Sequence, residues 1–426
     1  MSKKKNNPVP DAPVKEQTLP AAKPPDTAIA VDPPPPPKPV KPHFLGIDIL
    51  KIIAAFFVVG VHTFLYDGFY YTPIHENDTW MIAPIAMRWL YYCCVPIFMT
   101  VTGYLMVNKK LSASYYKGLI RIIVIYAFIG AFCLPVDKKV FGTDISLWNL
   151  AKYYIQFEAA DYGWYVRFYV ALFCLIPFLN LSINGLANKK QAIVLVCTVT
   201  CLSVFAKSYF WGFTKDDQIR PFSDYLSDIW PFAYYFFGAF MRKYPPKNWL
   251  KSKLVAMGVF IASWVFITLS SFVQTISSTN ADNSFHFTSW HFNFYGSYPI
   301  FLMTAAIFTL LYDIKTNNKI VKAVMGYISN STYALYLVSY LFDRKSYSDF
   351  NAKYPDVDGK WSIDRWHHVY QQHWYVFLHA LFWGLIITTG YKLLEMLIKF
   401  IVKKITTPKP VPEIAAEEAA PTDKKE

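Results

Sequence analysis

Charge is scarce in this chain. Only 17% of its 426 residues are Asp, Glu, Lys or Arg, against 54% hydrophobic and 19% aromatic residues. A water-soluble protein of that length carries more charge, so a soluble globular reading is excluded. No polar stretch between the apolar runs is large enough for a second folded domain. No phosphate loop, dinucleotide fingerprint, serine nucleophile elbow or pair of glycosidase carboxylates stands out. The six cysteines (Cys93, Cys94, Cys133, Cys174, Cys197 and Cys201) lie in or beside apolar runs. Their spacing fits neither a disulfide framework nor a zinc site, so they read as small core residues. A cleaved signal peptide is not expected either. The first apolar run follows a long polar leader, exceeds the length of a signal core and is not followed by a small-residue cleavage site.

What is present is a series of apolar runs of about 20 residues, each long enough to cross a bilayer as a helix. Ten are expected, near 44–66, 84–107, 117–136, 164–183, 190–208, 227–242, 253–276, 297–313, 323–343 and 374–402. The fold class is therefore all-α: a polytopic membrane protein of about ten transmembrane helices. The sixth and ninth runs carry Gly, Pro or Ser/Thr and are the ones where a broken helix is expected. The segment from Ser146 to Phe157 is short and amphipathic and is expected to lie along the interface. Residues 1–42, Pro- and Lys-rich with the run Asp32 to Lys38, and residues 405–426 read as disordered tails around a membrane domain over 43–404. The Pro-rich tail is a spacer or a recognition motif for another protein.

Basic residues in short loops set the expected orientation. The loops after the second, fourth, sixth and eighth runs hold Lys109, Lys110, Lys117, Lys189, Lys190, Arg242, Lys243, Lys247, Lys251, Lys253, Lys315, Lys319 and Lys322 against one acid, Asp313. The first opposite loop has Asp67, Glu76 and Asp78 unopposed. Both termini are expected to be cytoplasmic. The formal net charge of +13 then marks a cytosolic rim. It is not a nucleic-acid surface, because no basic patch sits on a soluble fold.

Within the first run, Asp48, Lys51 and His62 are ionisable groups in an otherwise apolar helix. Eleven helical steps of about 100° bring Lys51 and His62 within about 20° of one direction and separate them by roughly 16 Å along the axis. Asp48 falls about 40° to the other side. Such a row must face protein or a water-filled cavity. His62 suits proton acceptance near neutral pH, or a structural hydrogen bond between helices. Lys51 either belongs to that site or snorkels to the headgroups.

Lys117 and Arg121 open the third run near the same cytosolic level, where positive charge attracts phosphate. Lys117 is equally explained by topology. In the fourth run Trp164, Tyr165 and Arg167 lie about one turn from the outer face. Arg167 contacts substrate or pairs with an acid such as Asp161 or Asp228, and the aromatics are substrate contacts or interfacial rings. The aromatic loop from Ser284 to Tyr295 either stacks on sugar faces or forms an interfacial belt. His367, His368, His373 and His379 do not place three ligands on one helical face, so no metal site is expected.

These features resemble the membrane acyltransferase-3 family. Lys51 and His62 match a basic residue, ten intervening residues and a histidine in that family's first helix, and Asp48-Ile-Leu-Lys51-Ile-Ile-Ala54 is similar to its Asp-x-x-Arg-x-x-Ala. Trp164-Tyr165 followed by Leu175-Ile-Pro177, and the stretch from Tyr327 through Tyr336 to Ser339, are further similarities, and the resemblance covers about residues 44–403. Lysine replaces the usual arginine at 51, Lys117 and Arg121 stand in for a closer arginine pair, and Ser339 stands where a histidine is common.

The resemblance implies O-acylation of cell-surface glycans. The donor would be acetyl-CoA from the cytosol, and the acceptor a hydroxyl of an envelope polysaccharide or its lipid-linked precursor. The setting would be the plasma membrane of a bacterium. On that reading His62 is general base or acyl carrier, Asp48 orients Lys51, and Lys51, Arg121 and Lys117 meet the CoA phosphates. Arg167, Trp164 and Tyr165 lie towards the acceptor, and no metal takes part. No appended extracytoplasmic esterase-like domain is expected, so the membrane part acts alone or with envelope-synthesis partners. The competing class is a transporter or flippase of a lipid-linked glycan, with the charged row lining its pathway.

Overall fold

A computed structural model describes residues 44–406 apart from 72, 75–78, 143–145, 207–208, 211–217, 220, 277–284, 287–291 and 355–362. Both tails, the loop acids Glu76 and Asp78, and most of the aromatic loop before Phe292 lie outside the described residues.

The chain is a bundle of helices: α1 (Leu45–Tyr66), α2 (Ile82–Tyr91), α3 (Cys94–Met106), α4 (Ala113–Phe141), α5 (Leu147–Ile155), α6 (Trp164–Asn184), α7 (Lys189–Ser203), α8 (Trp230–Lys243), α9 (Trp249–Ile276), α10 (Tyr298–Leu311), α11 (Lys319–Lys353) and α12 (Ile363–Thr406). Extended structure is limited to two antiparallel pairs of two-residue strands, β1 (Pro73–Ile74) with β4 (Phe285–His286) and β2 (Tyr209–Phe210) with β3 (Gln218–Ile219).

Five segments are long and apolar enough to cross a membrane: Leu45–Tyr66, Thr79–Met106, Ala113–Phe141, Asp161–Asn184 and Trp249–Ile276. All ten segments read from the sequence are helical. The break falls in the second of them, at Tyr92 and Cys93 between α2 and α3, while α8 and α11, the helices of the sixth and ninth, are continuous. The amphipathic segment forms α5, which has no buried residue and leaves Leu147 and Trp148 exposed.

The apolar core gathers on α1, which packs against α2, α3, α10, α11 and α12. The polar residues that dilute α11 explain its weaker apolar signal, because they point inward: Ser329, Ser331, Thr332, Ser339, Asp343 and Ser346 are all buried. Polar groups in a membrane bundle belong inside, where they find partners.

Backbones approach closely where α3 meets α8. A Cβ on Gly103 would fall 2.0 Å from the Tyr235 carbonyl oxygen, and one on Gly238 would fall 2.0 Å from that of Thr100. Small residues facing each other in this way are how membrane helices gain packing without a hydrophobic drive.

Contacts between helix ends bring several of the basic loops together. The Gly46 amide donates to the Ile314 carbonyl (3.1 Å), Arg242 to the Tyr104 hydroxyl (3.2 Å) and Lys243 to the Ile183 carbonyl (3.0 Å). Lys253 closes the exposed carbonyl end of α10, donating to Thr309 and Leu310 oxygens at 2.7 and 2.8 Å and pairing with Asp313 at 2.5 Å. A cation at a helix carboxyl end is favourable because it meets unsatisfied carbonyls. The α1 amino end and the basic loops therefore share one face, called here the basic face.

Gly103→Val drives a branched side chain into a backbone carbonyl and is expected to cost about 3 kcal/mol. Gly258→Ala, where a Cβ meets nothing within 4 Å, is expected to stay within about 0.5 kcal/mol. Thermal unfolding of the purified protein in detergent checks both; equal melting temperatures would contradict the α3–α8 contact.

Candidate active site

The ionisable row of α1 faces α11. Lys51 Nζ donates to Ser329 Oγ at 3.0 Å, and His62 Nδ1 lies 3.5 Å from Asp343 Oδ2. Ser329, Tyr336 and Asp343 are spaced by seven residues, and each seven steps return within about 20° of the same direction. They form one stripe on α11, matched to the Lys51–His62 stripe on α1.

Asp343 is fully buried and His62 nearly so, with side-chain exposures of 0% and 12%. The Tyr162 hydroxyl donates to Asp343 Oδ2 at 2.5 Å, and the Tyr162 ring lies against the His62 ring with centroids 3.8 Å apart. The hydroxyl of Tyr336 donates to the Tyr162 carbonyl oxygen. On the other side the hydroxyls of Thr63 and Tyr347 are 2.8 Å apart. Among the described residues Asp343 Oδ1 and His62 Nδ1 have no hydrogen-bond partner. The His–Asp contact is within ion-pair reach and longer than a good hydrogen bond.

Two cavities approach this pair. One, of about 310 Å³, is enclosed by α1, α3, α4, α6 and α11, and its wall includes Lys51, Val58, Tyr165, Tyr169 and Tyr336. The other, of about 610 Å³, lies towards the face opposite the basic one and is lined by Tyr66, Phe141, Arg344, Lys345 and Tyr347 among others. His62 is four residues beyond Val58 and four before Tyr66. Residues four apart are neighbours on one helix face, so His62 stands one turn from each cavity.

The other residues singled out from the sequence divide between this centre and the surface. Tyr165 lines the first cavity; Trp164 does not and is 41% exposed. Asp48 neighbours Lys51, on which its charge acts, and sits about 21 Å along the axis from His62. The carboxylate beside the imidazole is thus Asp343. Arg121 points out of the bundle, 63% exposed, and pairs with Glu395 of α12 at 3.6 Å. It does not join Lys51, because the cavity side of α4 at that level is taken by Ile122 and Ile125. Lys117 is exposed on the first turn of α4. Arg167 is exposed and lies 4.0 Å from Glu158, not from Asp161 or Asp228.

The histidines of α12 serve separate ends. His373 is buried with Nε2 3.0 Å from the Phe56 carbonyl, His368 stacks on Tyr354, and His379 bonds within its own helix. Among the described residues no cluster of three or more His, Cys, Asp or Glu is placed to hold a metal.

Asp343 and Tyr162 were not among the residues expected from the sequence. The seven-residue spacing of Ser329, Tyr336 and Asp343 along one face of α11 is the signal that identifies the acid. Tyr162 carries no such signal, because the turn before α6 places it.

Tyr162→Phe removes the hydroxyl donor of a buried carboxylate and is expected to destabilise the fold by about 1–3 kcal/mol. A lowered midpoint of thermal unfolding in detergent checks this, with Tyr165→Phe as the unshifted comparison.

The acyltransferase-3 family, described as an acyltransferase domain, matches residues 44–390. That range takes in both polar stripes, both cavities and every helix except the end of α12. No curated protein and no solved structure matches the chain significantly. The family match, spanning most of the chain, identifies it as a member of the acyltransferase-3 family, and its several apolar helices fit a multi-pass membrane protein.

Proposed function

We propose that the protein is an O-acetyltransferase of a bacterial plasma membrane. It would move acetyl from cytosolic acetyl-CoA to a hydroxyl of a cell-envelope polysaccharide or its lipid-linked precursor. On this reading the bundle crosses the membrane ten times with both ends cytoplasmic, and the basic face is the cytosolic one. The observation that carries the proposal is the His62–Asp343 pair, one helical turn from a cavity on either side.

The donor enters from the basic face. Lys51 meets a phosphate of CoA, and the linear thioester arm occupies the cavity along α1, over the roughly 16 Å between Lys51 and His62. Its apolar wall of Val58, Val95, Phe98 and Val101 suits a chain and excludes water. Lys117 adds positive field at the start of α4. Arg121, turned towards Glu395, is assigned to holding α4 against α12.

The acceptor enters the opposite cavity, where Tyr66 stacks on Tyr347 at 5.6 Å between centroids and leaves an exposed ring for a sugar face. With Nδ1 turned to Asp343, Nε2 of His62 is the ring atom left for the acceptor. It takes the hydroxyl proton as the oxygen attacks the thioester carbonyl, then returns it to the departing CoA thiolate. Asp343 holds the tautomer that allows this and stabilises the transient imidazolium. Access from two sides also favours transport of a lipid-linked glycan, which would proceed without acyl-CoA consumption.

His62→Ala is expected to lower acetyl transfer about 10²–10⁴-fold. Asp343→Asn, which presents an amide to Nδ1, is expected to lower kcat about 10³-fold or more with little change in KM. Mass analysis of surface glycans and acetyl-CoA turnover by purified protein measure both. Normal acetyl content with a well-expressed His62→Ala protein would refute the assignment. Lys51→Met loses a charge-assisted contact and is expected to raise the KM for acetyl-CoA about 10–100-fold while sparing kcat.

A further inference from the structure

A third cavity, of about 430 Å³, lies away from the His62 centre on the basic-face half of α8, α9 and α10. Its depth is lined by Phe237, Met241, Ala256, Val259, Leu302 and Ala305, and its rim by Asn248, Lys251 and Ser252. The small side chains Ala256, Ala305 and Ala306 leave a trough over α10 that neither flanking helix fills.

Three observations say what covers it. First, α9 is one of the helices apolar enough to cross a membrane, and Val255, which lines the trough, is itself exposed, so the trough opens onto the apolar outer surface of that helix. Second, Trp249 and Leu250 are exposed at the start of α9, and a tryptophan there marks the headgroup level. Lys251 is therefore at headgroup depth, and Val259, eight residues on, lies about 12 Å deeper. Third, Lys247 and Lys251 are exposed and have no ion-pair partner among the described residues, whereas the neighbouring Lys253 is neutralised by Asp313.

We propose that this trough is a binding site for an anionic glycerophospholipid of the leaflet on the basic face. One acyl chain lies over Ala256, Ala305 and Ala306, and the headgroup phosphate meets Lys251, with Lys247 adding field and Asn248 and Ser252 offering polar contacts. An apolar trough at membrane depth takes a hydrocarbon chain because water has no partners there. The free lysines select negative charge, each contributing a modest electrostatic attraction near the surface.

The test uses full-length protein in detergent, titrated with phosphatidylglycerol or phosphatidylcholine and read by native mass spectrometry and by the rise in melting temperature that a ligand of the folded state produces. Retention and stabilisation by phosphatidylglycerol over phosphatidylcholine are expected. Lys251→Glu should weaken phosphatidylglycerol binding about five-fold or more. Ala305→Phe fills the trough and should abolish retention of both lipids while the size-exclusion profile stays that of the parent; Ala256→Leu is the second filling variant if Ala305→Phe does not fold. Glycerol 3-phosphate alone should give no shift. Equal binding of the two lipids, an unaffected Lys251→Glu protein, lipid retained by a folded filling variant, or a shift from glycerol 3-phosphate would each overturn the proposal.

Discussion

Burying the carboxyl group of Asp343 in an apolar helix bundle sets the terms for everything around it. An uncompensated charge there is costly, so the group must be met by donors. The structure meets one of its oxygens with the Tyr162 hydroxyl and the His62 ring, drawn from the turn before α6 and from α1. Those contacts fix the register of α1 on α11, and with it the position of Lys51 against Ser329. The same geometry that meets one oxygen of a buried acid therefore also builds the candidate site.

Tyrosines separate the two cavities. Tyr336 lines the first and bonds the Tyr162 carbonyl, and Tyr162 covers one face of His62. They stand between the two cavities, and His62 lies within a helical turn of each. The α3–α8 glycine contact lies outside this centre, but α3 supplies one wall of the first cavity, so close packing there supports the shape of the site.

Much of the layout was legible because it depends on local pattern. Apolar run length located the helices, and 3.6-residue periodicity put Lys51 and His62 on one face. Basic loop residues such as Lys189, Lys243 and Lys319 predicted the helix ends that the structure gathers together. Arg121 and Arg167 were less legible. A basic residue near a helix end is compatible with ligand, lipid or ion pair, and the partners Glu395 and Glu158 lie on other elements or in a loop. The break in the second segment has a local signal that run length alone does not show: Pro96 cannot donate to the Tyr92 carbonyl four residues back, so the helix is interrupted there.

The sequence by itself determined the helical membrane character and the polar row of α1, because each follows from composition and from spacing along one helix, and its motifs carried the family resemblance. Only the tertiary structure decided which acid serves His62. Asp48 and Asp343 are both plausible by type, and the choice rests on the parallel packing of α1 on α11, a contact between residues 281 positions apart in sequence. The cavities are likewise products of assembly. Their walls come from five helices in one case and three in the others, and the space between helices is a property no single segment encodes.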